Sequence, residues 1–114
     1  MVSMFIVAVL CGTPLDEVNQ ARAKRGMRPF KNDPQLVVAA QKCAEIRAGN
    51  LIRGHLQNDF HYLPRGARAS GAGCGALEPS WGLGTCCTYE NYTYAGAAVV
   101  MGRDGKRYMH IFVR

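Results

Sequence analysis

Residues 95–114, AGAAVVMGRDGKRYMHIFVR, decide the fold. Two apolar runs flank a turn at Arg103-Asp104-Gly105, and an Asp-Gly pair between apolar runs is a strong signal for a β-hairpin. A strand with one solvent-exposed face alternates apolar and polar residues, whereas these two strands are largely apolar on both faces. Such a hairpin needs a packed layer on each side. We therefore predict an α+β fold, a three-layer α-β-α sandwich with a C-terminal antiparallel hairpin.

Two helices upstream can supply the outer layers. Thr13-Pro14, followed by two acids, is typical of a helix start, and Gly26 is a typical end. Asp33-Pro34 repeats the start signal, and apolar residues follow at steps of three and four up to an expected end at Gly49. Residues 54–94 are rich in glycine and show no periodic segment, which predicts a long loop that is functional or pinned by cross-links.

The composition indicates one globular domain, because 48% of the 114 residues are hydrophobic and 19% are charged. The net charge is +6, and five basic residues lie within residues 22–31. Such a balance favours anionic partners, of which lipid headgroups, cell-wall polymers and nucleic acid are examples. The alternative is a solvated helix end that only aids solubility.

The N-terminal run MFIVAVL, residues 4–10, is far too short to span a bilayer as a helix, so we predict no transmembrane segment. It resembles the apolar region of a secretory signal, and a buried strand is the competing interpretation. We predict that residues 1–12 are an export signal or a leader strand and that residues 13–114 form a single domain. The expected location is secreted or periplasmic.

Five cysteines offer a disulfide framework. Loss of the leader removes Cys11, which leaves an even four. Adjacent Cys86 and Cys87 are poorly placed to bond each other, since neighbouring Cα atoms lie only about 3.8 Å apart. Two pairings remain, in which Cys74 bonds one of the adjacent pair and Cys43 bonds the other. Buried thiols are the alternative, and a reducing compartment would favour them.

A short polar stretch after the second helix could carry chemistry. His55, Asp59 and His61 lie within seven residues and could hold a divalent metal such as zinc, with Glu90 as a further ligand or base. Hydrogen bonding within a loop is the competing role for these residues. His110 is expected to be a hydrogen-bonded core histidine. No Ser-His-Asp pattern, phosphate-binding glycine loop or H-E-x-x-H motif is present, so catalysis is not indicated.

Four pieces of the sequence together resemble the CAP superfamily, the fold of cysteine-rich secretory proteins, venom antigens and plant pathogenesis-related proteins. They are, in order, LDEVNQARAKRGMRPF (15–30), DPQLVVAAQKCAEIRAGNLI (33–52), GH (54–55) and YAGAAVVMGRDGKRYMHIFVR (94–114). The pattern Asn19-x-x-Arg22, the Asp-Pro helix start and the hairpin occur in the family's order. The chain resembles a divergent, bacterial-type member.

The resemblance implies an α-β-α sandwich and export of the protein. It also implies a cavity with two histidines and two glutamates, which in some members binds zinc or another divalent ion. His55 matches the first histidine. The family's G-E-N-I/L motif, its W-x-x-E helix and its second histidine are not found between His55 and Tyr94. The expected cavity is therefore incomplete.

Our first hypothesis is a small secreted CAP-like binding or structural module without catalysis, with a lipid, a cell-wall polymer or a protein as its partner. The first alternative is a divalent-metal-dependent hydrolase centred on His55, assisted by His61, Asp59 or Glu90. A further alternative is a basic nucleic-acid-binding module that uses residues 22–31, although nucleic acid is not the expected partner. The sequence leaves the oligomeric state open.

Overall fold

The computed structural model describes residues 13–79, 82–84 and 87–114. The predicted export segment, residues 1–12, lies outside the described residues, as does Cys86. The described chain contains two α-helices, one 3-10 helix and four strands. In chain order they are α1 (Pro14–Ala23), β1 (Lys31–Asn32), α2 (Pro34–Asn50), the 3-10 helix (Asp59–Tyr62), β2 (Gly71–Leu77), β3 (Tyr94–Met101) and β4 (Arg107–Val113).

The predicted C-terminal hairpin is confirmed. Strands β3 and β4 pair antiparallel from Ala95 opposite Val113 to Met101 opposite Arg107. The turn between them uses Gly105 at a φ of 82°, a left-handed conformation that glycine adopts without strain. The sheet has the order β1-β3-β4-β2, in which β1 runs parallel to β3 and the other neighbours are antiparallel.

Each face of this sheet carries its own apolar cluster. The α1 face packs against the first helix and includes Leu15, Val18, Ala95, Ala97, Met109, Ile111 and Val113. The α2 face packs against the second helix and includes Leu36, Ala39, Ala40, Cys43, Ala44, Ala98 and Phe112. Burying one large apolar side chain contributes about 1.5–3 kcal/mol, so both clusters stabilise the hairpin between them. The protein therefore has the predicted mixed helix-and-sheet fold.

The start of α1 follows the predicted capping signal. The Thr13 side chain accepts a hydrogen bond from the Asp16 amide at 3.2 Å, and the Asp16 carboxylate accepts one from the Thr13 amide at 3.0 Å. This reciprocal pair satisfies two amides that the first helical turn leaves unpaired. Gly26 lies just beyond the end of α1 at a φ of 70°.

Arg22 departs from the expectation of a solvated basic helix end, because it is buried with 2% exposure. Its Nε donates to the carbonyl of Arg28 at 2.8 Å. Its Nη1 donates to the carbonyls of Thr88 at 2.8 Å and Glu90 at 2.9 Å. The side chain therefore ties α1 to the loop before β3, and it leaves the basic surface to residues 24–31.

Helix α2 runs slightly past its predicted end. Gly49 lies within the helix, which ends at Asn50, and Leu51 adopts the left-handed conformation with a φ of 53°. The Ile52 amide then donates to the carbonyl of Arg47 at 2.8 Å. The glycine was a plausible stop signal, but the chain reverses two residues later at a non-glycine position.

The glycine-rich middle segment contains a strand where the sequence predicts only loop. Strand β2, with the sequence GAGCGAL, pairs antiparallel with β4 from Gly71 opposite Val113 to Leu77 opposite Arg107. Glycine and alanine are poor strand formers, so composition carries no signal here. The strand exists because β4 offers its backbone groups along that edge.

The structure does not contain the predicted disulfide from Cys87, since the described cysteines are not joined to one another. Cys87 belongs to the α1 face. Cys43 belongs to the α2 face, and Cys74 lies opposite His110 in the β2–β4 register, which places its side chain on that same face. The sheet therefore separates Cys87 from both of its predicted partners.

Candidate functional site

A buried polar cluster lies where the 3-10 helix meets α2 and β4. We call it the Asp59 cluster. It comprises Cys43 of α2, His55 of the loop between α2 and the 3-10 helix, Asp59 of the 3-10 helix and His110 of β4. Cys43 and His110 are fully buried and Asp59 is 5% exposed. The His55 side chain is 50% exposed, so one member of the cluster reaches solvent.

Arg47 fixes the loop that carries His55. Its Nη2 donates to the carbonyl of Arg53 at 2.7 Å, and its Nε donates to the carbonyl of Gly54 at 2.8 Å. Its Nη1 reaches the carbonyl of Met109 in β4 at 2.8 Å. A single buried guanidinium thus holds the residue before His55 and the residue before His110.

The Asp59 carboxylate is the centre of the cluster. Its Oδ1 accepts from the Leu56 amide at 2.9 Å, which orients the side chain. Its Oδ2 contacts His55 Nδ1 and lies 3.3 Å from His110 Nε2. The two imidazole rings meet edge to face, with centroids 6.0 Å apart. The Cys43 Sγ donates to the backbone carbonyl of Asp59 at 3.8 Å.

His110 is buried as predicted, but the predicted hydrogen bond is not made. Neither ring nitrogen makes a hydrogen bond to the described residues, and the nearest charged group is the Asp59 carboxylate, whose Oδ2 lies 3.3 Å from Nε2. Burial lowers the pKa of His110 to about 4; Asp59 opposes this change, and Arg47 and His55 add to it. The imidazole is therefore neutral at pH 7, with Cys43 of α2 as a further neighbour.

Acidification from pH 6.5 to 4 is expected to destabilise the protein through His110. The measurement is made with a chelator present, so that no bound metal ion affects the protonation of this ring. The unfolded chain takes up a proton on this ring near pH 6.5, whereas the folded chain does so near pH 4. Between these values the unfolded state binds more protons, so stability falls as the pH falls, by up to about 3 kcal/mol. Urea unfolding at a series of pH values measures this loss.

His110→Gln is expected to flatten that pH profile, because glutamine has no proton to gain. The matched variant His61→Gln removes an exposed imidazole and should keep the wild-type slope. A wild-type slope in His110→Gln would show that another group causes the pH dependence.

The structure brings together two of the four predicted site residues, His55 and Asp59. His61 is exposed on the 3-10 helix, where its ring contacts Tyr62 at a centroid distance of 5.2 Å. Glu90 is exposed in the loop that Arg22 of α1 holds. The sequence analysis did not predict Cys43 and His110 as members of this cluster. Cys43 lies on an apolar stripe of a helix and His110 on an apolar face of a strand, and both patterns indicate core packing.

Comparison with known proteins identifies the family. The family model of the CAP, or cysteine-rich secretory protein, family matches residues 15–86, which is more than half of the chain. The chain therefore belongs to the CAP family. No curated protein matches it significantly. Within the described residues, no helix has the length and apolarity needed to cross a membrane.

The metal set that the family resemblance implies does not fit the described residues. His55 is present, but the second histidine of the Asp59 cluster is on β4, in the terminal hairpin. The carboxylate of Glu78 contacts the ammonium group of Lys106. Glu90 is exposed in the loop tied to α1. Two histidines and two glutamates are thus not assembled in the part of the chain that the structure describes.

Proposed function

We propose that this chain is an exported CAP-type binding module, without catalysis of its own, that recognises an anionic phosphate-type group. The CAP family match and the two apolar faces of the sheet support a three-layer α-β-α arrangement as its framework. Its +6 charge supports an anionic ligand. The observation that carries the proposal is a small cleft with an exposed basic rim.

The basic cleft lies between the loop after α1 and the loop before β3. It encloses about 230 Å³ and is lined by Arg22, Met27, Arg28, Pro29, Lys31, Asn91, Tyr92 and Thr93. Arg28 and Lys31 are exposed, whereas the guanidinium of Arg22 is occupied by backbone carbonyls. Drug-sized ligands need about 300–1,000 Å³, so this cleft suits a charged headgroup rather than a whole lipid.

The burial of the Asp59 cluster supports a role without catalysis. A general acid or base must come within hydrogen-bond reach of the group that reacts. Asp59 and His110 are sealed inside the fold, with exposures of 5% and 0%. The cluster can hold the loop and the strand together, but it presents only the edge of His55 to a substrate.

The test measures, by sedimentation, how much protein binds to vesicles of phosphatidylcholine with and without phosphatidylglycerol. We expect binding that requires the anionic lipid and weakens with added salt. Each basic residue near such a surface is worth about 1 kcal/mol, so reversing two charges in Arg28→Glu/Lys31→Glu should weaken binding at least about tenfold. Competition with heparin, a soluble polyanion, shows whether the cleft needs a lipid surface.

The matched control is Arg65→Glu/Arg68→Glu, which reverses two exposed charges outside the basic cleft. This variant has the same net charge and should keep most of the binding. Equal loss in both variants would mean that net charge alone drives the association. No binding to anionic vesicles or to heparin would overturn the proposal.

The second candidate is the divalent-metal-dependent hydrolase centred on His55. The contact between the half-exposed His55 ring and the buried Asp59 carboxylate favours it, because a carboxylate behind a histidine orients a general base. Metal-stimulated hydrolysis of simple esters that disappears in His55→Ala would replace the first proposal with this one.

A further inference from the structure

Three buried side chains bring potential metal-ligand atoms close together within the Asp59 cluster. The Sγ of Cys43, a carboxylate oxygen of Asp59 and a ring nitrogen of His110 all lie within 4.8 Å of one another. Each residue comes from a different element: α2, the 3-10 helix and β4. The site is therefore a product of tertiary packing.

The distance between two of these atoms is compatible with coordination of one metal ion. His110 Nε2 and Asp59 Oδ2 are 3.3 Å apart. Nitrogen and oxygen ligands at about 2.0 Å from a tetrahedral zinc ion lie about 3.3 Å from each other. Both ring nitrogens of this fully buried histidine also lack a hydrogen-bond partner among the described residues. Such groups are rare and call for an explanation.

We propose that Cys43, Asp59 and His110 form a buried structural site for a zinc-type divalent ion. A thiolate, an imidazole and a carboxylate together favour zinc or cobalt over magnesium or calcium, which prefer oxygen ligands. His55 supports the site from outside, since its contact with Asp59 is the kind of outer hydrogen bond that orients a ligating carboxylate. This site differs from the metal set that the family resemblance implies.

A bound ion would join the 3-10 helix to α2 and β4. Binding requires the Cys43 thiol to lose its proton, and the thiolate and carboxylate then supply two negative charges for a divalent cation. Without metal, burial raises the pKa of the Cys43 thiol to about 12, and the Asp59 carboxylate adds to the rise. Metal uptake is therefore expected to release about one proton per ion at neutral pH.

The test is titration of the chelator-treated full chain with Co²⁺. We expect one equivalent to bind, with an intense sulfur-to-cobalt charge-transfer band, and Zn²⁺ to displace it. Cys43→Ser should abolish the sulfur band, and Asp59→Asn should weaken binding at least about tenfold, as loss of a ligand or its support commonly does. Zn²⁺ should also raise the unfolding temperature of the wild type.

Two matched variants keep the test specific. Cys87→Ser removes a buried cysteine on the α1 face, and His61→Gln removes an exposed histidine. Both should retain the sulfur band and the one-equivalent stoichiometry. If Cys43→Ser does not fold, the Zn²⁺-dependent rise in unfolding temperature should still be smaller in folded Asp59→Asn than in the wild type at the same Zn²⁺ concentration.

Two results would overturn the site. One is the absence of tight Co²⁺ binding by the folded wild-type chain. The other is binding that lacks the sulfur band and disappears in His55→Ala, which would place the ion at the exposed histidine. Vesicle binding is measured separately, so either result leaves the proposed anion-binding function untouched.

Discussion

Replacing Arg47 with methionine is expected to lower the free energy of unfolding by about 3 kcal/mol. The side chain is fully buried, and its three donors reach the carbonyls of Arg53, Gly54 and Met109 at 2.7–2.8 Å. Methionine can fill the space, but it leaves each of these carbonyls without that donor. A buried polar group that loses its partner costs about 1–3 kcal/mol. Urea unfolding followed by circular dichroism measures the loss.

Two further variants identify the cause of this loss. Arg47→Lys keeps the charge but has a single ammonium in place of the planar fork, so it should fall between wild type and Arg47→Met. Arg65→Met removes an exposed arginine and should change stability by no more than about 0.5 kcal/mol. If Arg47→Met were as stable as Arg65→Met, the three hydrogen bonds would contribute little to the fold.

Gly96→Ala is expected to destabilise the protein by at least about 3 kcal/mol, at the upper end of the usual cost of overpacking. Gly96 is buried in β3, directly beneath the start of α2. An added Cβ would overlap the amide nitrogen of Val37 and the carbonyl carbon of Leu36, and it would lie 2.7 Å from the Leu36 Cβ. Backbone atoms cannot rotate away, so the helix would have to shift from the sheet.

Gly49→Ala is the matched control for Gly96→Ala. Gly49 lies in α2, and an added Cβ there meets no atom within 4 Å. Alanine favours a helix by about 0.5–1 kcal/mol over glycine, so this variant should be neutral or slightly stabilised. Thermal unfolding of both variants gives the comparison. A Gly96→Ala protein as stable as Gly49→Ala would mean that α2 does not press on β3 as the structure shows.

Local sequence signals correctly predicted the helix starts and the hairpin, because these features depend on residues close together in the chain. The capping pair at Thr13 and Asp16 determines the start of α1, and an Asp-Pro pair does the same for α2. The Asp-Gly turn places the hairpin, and its apolar residues pack into a separate cluster on each face. These signals act over a few residues, so they remain readable without knowledge of the rest of the chain.

Signals that depend on distant neighbours were missed. Strand β2 has a loop-like composition and exists through its pairing with β4. The sequence suggested that Arg22 is a surface charge. In the structure it is buried, and it donates hydrogen bonds to backbone carbonyls 66 and 68 residues further along the chain. His110 and Cys43 looked like core residues, and only the position of Asp59 between them makes a polar cluster.

The sequence alone determined the helix starts, the hairpin, the apolar residues on both of its faces and the kinship with the CAP family. Helix capping, turn formation and the patterning of apolar residues along a strand depend on residues close together in the chain. They can therefore be recognised in short stretches of sequence. The tertiary structure decided which cysteines share a face, which arginines are buried and which side chains surround Asp59. Those outcomes depend on contacts between residues that are far apart in the chain, and such contacts form only when the sheet and its two helices pack.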